Sequence, residues 1–543
     1  MVSASTRLLQ AVFQLPPAVT RARTSRDLGI PMRDGVVLLA DHYAPALPDA
    51  PTVLIRTPYG RRGAMSLLGE LIAERGFHTV VQSCRGTFGS GGRFEPLLHE
   101  REDGLDTLIW LRAQPWYTGS LGLFGASYQG FVQWAIAADA GEELKAMVAV
   151  VTASQTRDST YAGGAFSLDT VLTWIELVEA QTVPWWSRQV ELKRGQPKLR
   201  RGLHHLPLVE ADTVATGGTV AFFQEWLTHT EAGADYWRQR AFDERVYEVR
   251  AEVAMVTGWH DIFLPWQLAD YATLRAAGAR PHLTIGPWTH GSVGLYGAAL
   301  REGLSWLRAH LAGDTDGLRA EPVRVHVGGG GGWKSLPDWP PGHPPRRWHL
   351  HAGGGLSPEP PAPSTPDSHR YDPTNATPSL GGPLLVANRA GQLDNRPVED
   401  RPDVLVYSSA PLDSAVEVIG PVEAIVHIRS TLPYFDVFVR LCDVDIRGRS
   451  WNVCDGLTRV VPGLVPADGD DVQAVVVELW PTAYRFRAGH RIRVQVSGGA
   501  HPRYSRNPGT GEPLGTATEL RAGRREVFHD PERPSALLLP VST

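Results

Sequence analysis

One serine lies where a short apolar run gives way to a helical pattern. Ser127 stands two residues after Gly125 and three before Gly130, directly behind the run Leu121–Gly125. A serine on a sharp turn from strand to helix exposes its hydroxyl, and small flanking residues relieve the crowding of the backbone there. The spacing is G-x-S-x-x-G, because Gln129 fills the usual position of the second glycine. The segment predicts a nucleophilic serine, although a helix N-cap serine would show the same local pattern.

An acid and a histidine follow later, each just beyond a predicted strand. Asp261 comes soon after the apolar run Glu252–Gly258, and His290 comes soon after the run His282–Gly286. In hydrolases of the α/β type the acid and then the histidine follow the serine along the chain. The spacing therefore predicts a catalytic triad in which Asp261 orients His290, and His290 takes the proton from Ser127.

His260 is a rival for the role of base. Because it adjoins Asp261, we expect its side chain to project differently, where that carboxylate cannot easily orient it. The neighbours His204 and His205 have the character of a surface pair, and no HExxH segment with metal-ligand spacing is present. We therefore assign the base to His290 and expect neither a metal nor an organic cofactor.

Composition limits the partners and the compartment. The chain has 543 residues, 42% hydrophobic and 20% charged, with a formal net charge of -5, which is typical of a globular protein with two or three domains. It lacks the basic balance of a nucleic-acid-binding protein, and no apolar run approaches a membrane span. The three cysteines form no CxxC pair and fit a reducing cytosol. We expect no signal peptide and a cytoplasmic location, while the oligomeric state stays open.

The elements that must position the triad follow an α/β pattern. Apolar runs such as Thr52–Thr57 and His78–Gln82 alternate with helical patterns, which indicates a parallel sheet covered on both faces. This pattern stops near residue 151 and returns at Glu252–Gly258. We therefore predict a catalytic domain of the α/β-hydrolase fold over residues 1–151 and 251–340.

Two other segments differ from this α/β pattern in their composition. Residues 152–250 are helical in pattern and rich in tryptophan. An insertion after a central strand usually covers the carboxyl edge of the sheet, where α/β proteins bind ligands, so we predict a helical cap. Residues 341–543 begin with a Gly/Pro-rich stretch and continue with short strand-like runs between turn residues, which predicts a β-sandwich.

The sequence resembles the CocE/NonD family of acyl hydrolases, which groups cocaine esterases with X-Pro dipeptidyl-peptidases. The resemblance extends from about residue 28 to residue 540 and rests on motifs spread along the chain. These motifs are Ile30–Val36, Arg56–Gly60, Arg85–Gly92, Gln114–Trp116, Gly125–Gly130, Gly258–Asp261, Gly286–His290, Arg440–Val444 and Ala488–Arg491. The resemblance implies that the C-terminal part is the jelly-roll domain of this family.

The resemblance also implies roles for four further residues. The family's Pro-Tyr motif supplies a tyrosine hydroxyl to the oxyanion, and the matching residue here is Tyr59. A second donor is the backbone N–H after the nucleophile, which belongs to Tyr128. Trp174 in the cap and Phe263 beyond the triad acid match family positions that pack on an aromatic acyl group, although core packing would explain either residue equally well.

The family does not fix the substrate. Our first expectation is a serine hydrolase that cleaves a small-molecule ester or amide with an apolar or aromatic acyl group through an acyl-enzyme. The alternative is an X-Pro dipeptidyl-peptidase or an amino-acid ester hydrolase; a dipeptidyl-peptidase would need a carboxylate for the substrate's α-amine that the sequence does not locate. An acyltransferase or tailoring enzyme of secondary metabolism is an alternative of another class, because water and other acceptors compete for the same acyl-enzyme.

Overall fold

Ten strands in the first part of the chain form one mixed sheet. They are β1 (Ala22–Pro31), β2 (Val37–Pro45), β3 (Thr52–Thr57), β4 (His78–Ser83), β5 (Leu121–Ala126), β6 (Leu144–Val150), β7 (Glu252–His260), β8 (His282–Thr289), β9 (Val323–Val327) and β10 (Gly332–Leu336). In the computed structural model, which describes residues 3–179, 188–386 and 388–542, their order is β1-β2-β4-β3-β5-β6-β7-β8-β9-β10. Strands β3 to β9 pair in parallel, and β1, β2 and β10 are antiparallel additions at the two edges.

Helices surround this sheet and fill the insertion between β6 and β7. Those in the described residues are α1 (Ala4–Phe13), α2 (Ala64–Ala73), α3 (Glu100–Arg112), α4 (Tyr128–Ala137), α5 (Arg157–Thr160), α6 (Leu168–Glu179), α7 (Arg188–His204), α8 (Ala211–Thr216), α9 (Ala221–Thr228), α10 (Asp235–Arg238), α11 (Leu264–Ala276), α12 (Val293–Ala312) and α13 (Arg396–Glu399). Among the residues described, no helix combines the length and the apolar character needed to cross a bilayer.

The apolar runs of the sequence become the central strands of the sheet. Both β3 and β4 are buried at every residue, because helices cover the two faces. Strand β7 continues to His260 and β8 continues to Thr289, so each ends next to a residue of the predicted triad. The α/β fold predicted from the sequence is confirmed.

The C-terminal part folds around a second set of strands with its own apolar core. They are β11 (Pro345–His351), β12 (Gly355–Ser357), β13 (Asp367–Tyr371), β14 (Val404–Ser408), β15 (Val416–Ser430), β16 (Phe435–Val444), β17 (Ser450–Val460), β18 (Gln473–Phe486), β19 (Arg491–Ser497), β20 (Gly523–Phe528) and β21 (Ala536–Pro540). This arrangement, built on long antiparallel pairs such as β15 with β18, fits the β-sandwich expected for this part of the chain.

The helical insertion is packed onto the sheet rather than standing apart from it. Phe166 of the insertion, Trp226 of α9 and Tyr128 of α4 belong to one continuous buried cluster. The insertion is therefore in position to form a wall over the strand ends where Ser127 and the residues after β7 and β8 lie.

Candidate active site

Ser127 lies on a strained turn between β5 and α4. Its backbone has φ +59° and ψ -125°, a region that residues other than glycine rarely adopt. Hydrogen bonds fix the turn on both sides, since the Ser127 N–H donates to the Val150 carbonyl over 2.9 Å and the Ser127 carbonyl accepts from the Gly130 N–H over 2.8 Å. Strain of this kind persists only where the surrounding fold imposes it, and it is concentrated at functional sites. This is the geometry of a nucleophile elbow.

The glycine spacing around Ser127 follows from close packing. A Cβ at Gly125 would lie 2.5 Å from the Cβ of Gln129, and a Cβ at Gly130 would lie 2.4 Å from the Cγ2 of Thr152. Both separations are far below an ordinary carbon contact. The second glycine is needed at position 130, where α4 passes the end of β6, and position 129 accepts a glutamine. This explains the departure from the usual G-x-S-x-G spacing.

Asp261 and His290 are joined by a short hydrogen bond. The Nδ1 of His290 lies 2.7 Å from the Oδ2 of Asp261, whose side chain is inaccessible to solvent. The second oxygen, Oδ1, accepts the backbone N–H of Phe263 over 2.8 Å, so the carboxylate is held at both oxygens. With Nδ1 occupied by the acid, the Nε2 of His290 is the ring nitrogen left to act on a substrate or a nucleophile.

Ser127 and His290 both line a cavity of about 860 Å³. Its larger apolar and aromatic lining residues are Tyr59, Met65, Phe88, Leu97, Tyr128, Phe131, Val171, Trp174, Leu177, Trp226, Ile262, Phe263, Tyr296 and Leu385. No hydrogen bond joins Ser127 to His290, both of which lie in the described part of the chain. In unliganded enzymes such bonds are often long and shorten in the substrate complex. The one arginine in the described lining, Arg62, is paired with Asp27 and Asp41.

Tyr59 places its hydroxyl beside Ser127. The oxygen of Tyr59 accepts a hydrogen bond from the indole Nε1 of Trp174 over 3.1 Å. Burial raises the pKa of Tyr59, although hydrogen bonds from Trp174 and Ser127 act in the opposite direction. The phenol therefore stays protonated and keeps one O–H to donate, as an oxyanion donor must.

Tyr128 contributes its backbone and its side chain to different places. Its N–H is at the first position of α4, where a helix offers no internal acceptor. Its ring hydroxyl points into the protein, donating to Glu100 Oε1 over 2.8 Å and accepting the Leu97 N–H over 2.8 Å. Glu100 in turn pairs with the buried Arg56. The side chain of Tyr128 thus anchors the turn, while its backbone N–H has no acceptor within α4.

Trp174 and Phe263 both lie in the cavity wall. The indole of Trp174 is stacked between Tyr128 and Trp226, with ring centroids 6.2 Å and 6.1 Å away. The ring of Phe263 meets the His290 imidazole edge-on at 5.8 Å. Both side chains are partly exposed and line the cavity, so part of the surface of each, for Trp174 a ring edge, can contact a bound acyl group.

His260 faces away from this cavity. Burial lowers its pKa to about 4, and its charged neighbours are Asp455, Arg440 and Arg503 of the C-terminal strands and loops. It is not among the cavity's lining residues. Its orientation agrees with the expectation that Asp261 cannot orient it.

Sequence reasoning did not identify Tyr296 or the donor role of Trp174. Tyr296 lines the cavity, and its hydroxyl donates to the His290 carbonyl over 3.2 Å, which steadies the loop carrying the imidazole. Both residues gain their positions from elements far apart in the chain, and no local motif marks them. Within the described ranges, no group of three or more His, Cys, Asp or Glu side chains is placed to hold a metal.

Two protein-family models match this chain. Residues 34–292 match the family model described as X-Pro dipeptidyl-peptidase (S15 family), and residues 317–538 match its C-terminal non-catalytic domain. The chain is 30% identical to a cocaine esterase from Rhodococcus sp. (strain MB1 Bresler), covering 94% of this chain and 97% of that protein.

Two solved structures have a similar fold. An α-amino acid ester hydrolase labelled with selenomethionine superimposes with a TM-score of 0.81 at 22% identity, over 97% of this chain and 98% of that one. A CocE/NonD family hydrolase from Staphylococcus aureus superimposes with a TM-score of 0.69 at 16% identity, over 96% and 94%. At these identities the likeness concerns the fold.

Proposed function

Because the chain belongs to the CocE/NonD family of serine acyl hydrolases, we propose that it cleaves small-molecule esters with an apolar or aromatic acyl group. Ser127 is the nucleophile, His290 the general base and Asp261 the residue that orients it. Tyr59 and the backbone N–H of Tyr128 are the oxyanion donors. Three observations support these roles: the strained turn at residue 127, the 2.7 Å hydrogen bond between the Asp261 carboxylate and the His290 imidazole, and the buried phenol of Tyr59.

The reaction would proceed in two displacement steps. His290 Nε2 takes the Ser127 proton as Oγ attacks the acyl carbon, and the two donors stabilise the tetrahedral oxyanion. The imidazolium then gives its proton to the departing alcohol as the carbon–oxygen bond breaks. Water, deprotonated by the same imidazole, attacks the acyl-enzyme and releases the acid, which returns Ser127 to its starting state.

The proposed substrate class is inferred from the residues that line the cavity. Among the described lining residues there is no aspartate or glutamate, while aromatic and aliphatic side chains predominate. A cationic α-amine placed in such a cavity would lose its hydration without gaining an ion pair, which is costly. This favours a neutral acyl group over the free amino terminus that an X-Pro dipeptidyl-peptidase or amino-acid ester hydrolase must hold.

A substrate panel tests this proposal. We expect p-nitrophenyl esters of aromatic or branched aliphatic acids to give a far higher kcat/KM than amino-acid esters or X-Pro anilides. Ser127→Ala should abolish the activity, and an organophosphonate should label Ser127 alone. A preference for free α-amino substrates, or a label on another residue, would refute the assignment.

Transfer to another acceptor is the second candidate, because an apolar cavity also binds alcohols and amines. Product analysis in the presence of such acceptors distinguishes the two outcomes. An acyl-enzyme that yields mainly acid identifies a hydrolase, and one that yields mainly the new ester or amide identifies a transferase.

A further inference from the structure

A second chamber adjoins the catalytic cavity. It also measures about 860 Å³, and its wall includes Pro58, Phe222, Tyr236 and Arg240. Phe88 lines both the chamber and the catalytic cavity, and Pro58 directly precedes Tyr59 in the chain. The two spaces therefore share a wall next to the proposed oxyanion donor.

Arg240 is a buried cation in the wall of this chamber. The residue is only 7% exposed. Its Nη1 donates to the Tyr236 carbonyl over 2.8 Å, and its guanidinium carbon lies 3.8 Å from the centroid of the Tyr236 ring. Its Nε is buried without any hydrogen-bond acceptor, and no salt bridge joins the guanidinium to a carboxylate in the part of the chain that is described. A buried charge without a counter-ion is unfavourable unless something else neutralises it.

The glutamates around the chamber do not fill this role. Glu95, Glu179 and Glu225 line the chamber, but all three are exposed to solvent, where water and salt screen their charge. Glu225 is also engaged with His229, at 3.4 Å. The deep cation is therefore left facing a space that is large enough for part of a ligand.

We propose that this chamber is a subsite for a carboxylate carried on the substrate, with Arg240 as the group that binds it. The inference rests on the proposed ester hydrolysis and extends it. A carboxylate accepts two parallel hydrogen bonds from a guanidinium fork, which satisfies the donors that the protein leaves free. The apolar part of the substrate between that carboxylate and the scissile bond would pass along Phe88.

The Phe88 ring lies between the chamber and the catalytic cavity, and its surroundings hold it in place. The Phe88 backbone has φ +46°, and its carbonyl accepts a hydrogen bond from the Nη1 of Arg61 over 3.0 Å. A Cβ at Gly60 would lie 2.8 Å from the Phe88 ring, so that glycine makes room for the ring. With the ring held in this way, the distance between the ester and the carboxylate should be selected, which predicts a preferred chain length.

Two series of p-nitrophenyl and aryl esters test the proposal. In the first, p-nitrophenyl monoesters of dicarboxylic acids of increasing length place the carboxylate on the acyl side. In the second, aryl acetates carry a carboxylate on a tether of increasing length on the leaving group. Every acid is compared with its primary amide, which has nearly the same shape without the charge, and kcat/KM is measured for each pair.

We expect one series to show an optimum length at which the acid exceeds its amide by about 10- to 100-fold, the size of a charge-assisted interaction. The series that shows it identifies the side of the scissile bond that faces the chamber. Arg240→Gln should lower the kcat/KM of each acid to about that of its amide, and Arg240→Lys should retain part of the preference. Arg93→Gln, which alters an exposed arginine of the same chamber, is the matched control and should retain the preference.

The inference fails if wild-type protein shows no acid preference at any length in either series, a measurement that needs no variant to fold. It also fails if Arg240→Gln is folded and keeps the preference. Failure of the proposed hydrolysis would look different. The esters that carry the neutral amide would then not be hydrolysed, or Ser127→Ala would hydrolyse them as well as the wild type does.

Discussion

The indole Nε1 of Trp174 donates a hydrogen bond to the hydroxyl oxygen of Tyr59 over 3.1 Å. The two residues come from different parts of the fold, Tyr59 from the loop after β3 and Trp174 from α6 of the insertion. Because the phenol oxygen accepts this bond, its own O–H points away from the indole, which leaves the proton available to an acceptor in the cavity. The insertion thus helps to orient the proposed oxyanion donor in addition to forming the cavity wall.

Removing the Tyr59 hydroxyl should impair the chemical step. Tyr59→Phe keeps the ring, so we expect normal folding, a nearly unchanged KM and a kcat lower by about 100- to 1,000-fold, as for other lost oxyanion donors. Trp174→Phe should cause a smaller loss, because the donor remains and only its orientation is relaxed. In the double variant the two losses should not add, which steady-state kinetics on one good ester will show. A wild-type kcat in Tyr59→Phe would transfer the oxyanion role to another group.

Tyr128→Phe should affect stability much more than catalysis. The change leaves the N–H of Leu97 without its acceptor and removes a donor from Glu100, both within the protein interior. We expect a free energy of unfolding lower by about 1–3 kcal/mol and a kcat within a few-fold of wild type. Urea unfolding and ester kinetics on one preparation separate the two effects. A large fall in kcat without a stability change would mean that the phenol itself takes part.

Asp261→Asn should leave the site assembled but misdirect the imidazole. An amide cannot hold the same tautomer of His290, and in a comparable triad this change lowers kcat by about 10,000-fold. Asp270→Asn is the matched control: Asp270 is also buried, burial raises its pKa to about 7, and its partner is Ser154 rather than the triad. The control should retain kcat. Equal losses in both variants would point to a general effect of buried carboxylates.

Gly130→Ala should disturb the elbow through overpacking. The new methyl group would lie 2.4 Å from Thr152 Cγ2, which forces α4 away from the end of β6. We expect a loss of about 1–3 kcal/mol in the free energy of unfolding, together with a lower kcat because Ser127 moves with the helix. Gly218→Ala, at a site with no atom within 4 Å of the added carbon, should change neither quantity. Thermal unfolding and burst titration of active sites measure the two effects.

Buried neutral histidines should make the protein less stable in acid. Burial lowers the pKa of His369 and of His501 to about 3, whereas the unfolded chain binds a proton near pH 6.5. Unfolding therefore takes up protons below pH 6.5, and the free energy of unfolding falls as the pH falls. Between about pH 7.5 and 5.5 each such histidine should cost about 1.4 kcal/mol.

A single substitution tests this linkage. His369→Phe removes one of these imidazoles, so its unfolding free energy should fall by about 1.4 kcal/mol less than that of wild type over the same interval. Gly218→Ala, which changes no titratable group and adds a carbon with no atom within 4 Å, should keep the wild-type slope. If both variants retain that slope, the acid sensitivity has another origin.

The central strands were predictable because burial on both faces leaves a continuous apolar signal. Strand β1 was not predicted: its sequence is mostly polar and its residues are mostly exposed, so only its pairing with β2 makes it a strand. Strand β15 (Val416–Ser430) is longer than the apolar run Ala424–Ile428 that marks it in the sequence, and fewer than half of its residues are buried. The domain limits at residues 151, 250 and 340 remain predictions.

Some features of the candidate site could also be predicted from the sequence, and others could not. Ser127, Asp261 and His290 follow strand ends, and that position is visible in the sequence. The bond between Trp174 and Tyr59, the pairing of Tyr128 with Glu100, and the unpaired state of Arg240 depend on contacts between elements distant in the chain. No local pattern encodes such contacts, so they could be found only in the folded molecule.

The insertion between β6 and β7 also fixes when the protein can begin to act during its synthesis. Ser127 and both proposed oxyanion donors leave the ribosome early, but Asp261 and His290 lie beyond the insertion and Leu385 of the cavity wall is later still. At about 5–20 residues per second, roughly 10–30 s separate the synthesis of the proposed nucleophile from that of its proposed base. On the proposed mechanism, a nascent chain that carries Ser127 without His290 lacks the base that activates the serine, so it should not react with cellular esters before the cavity is complete.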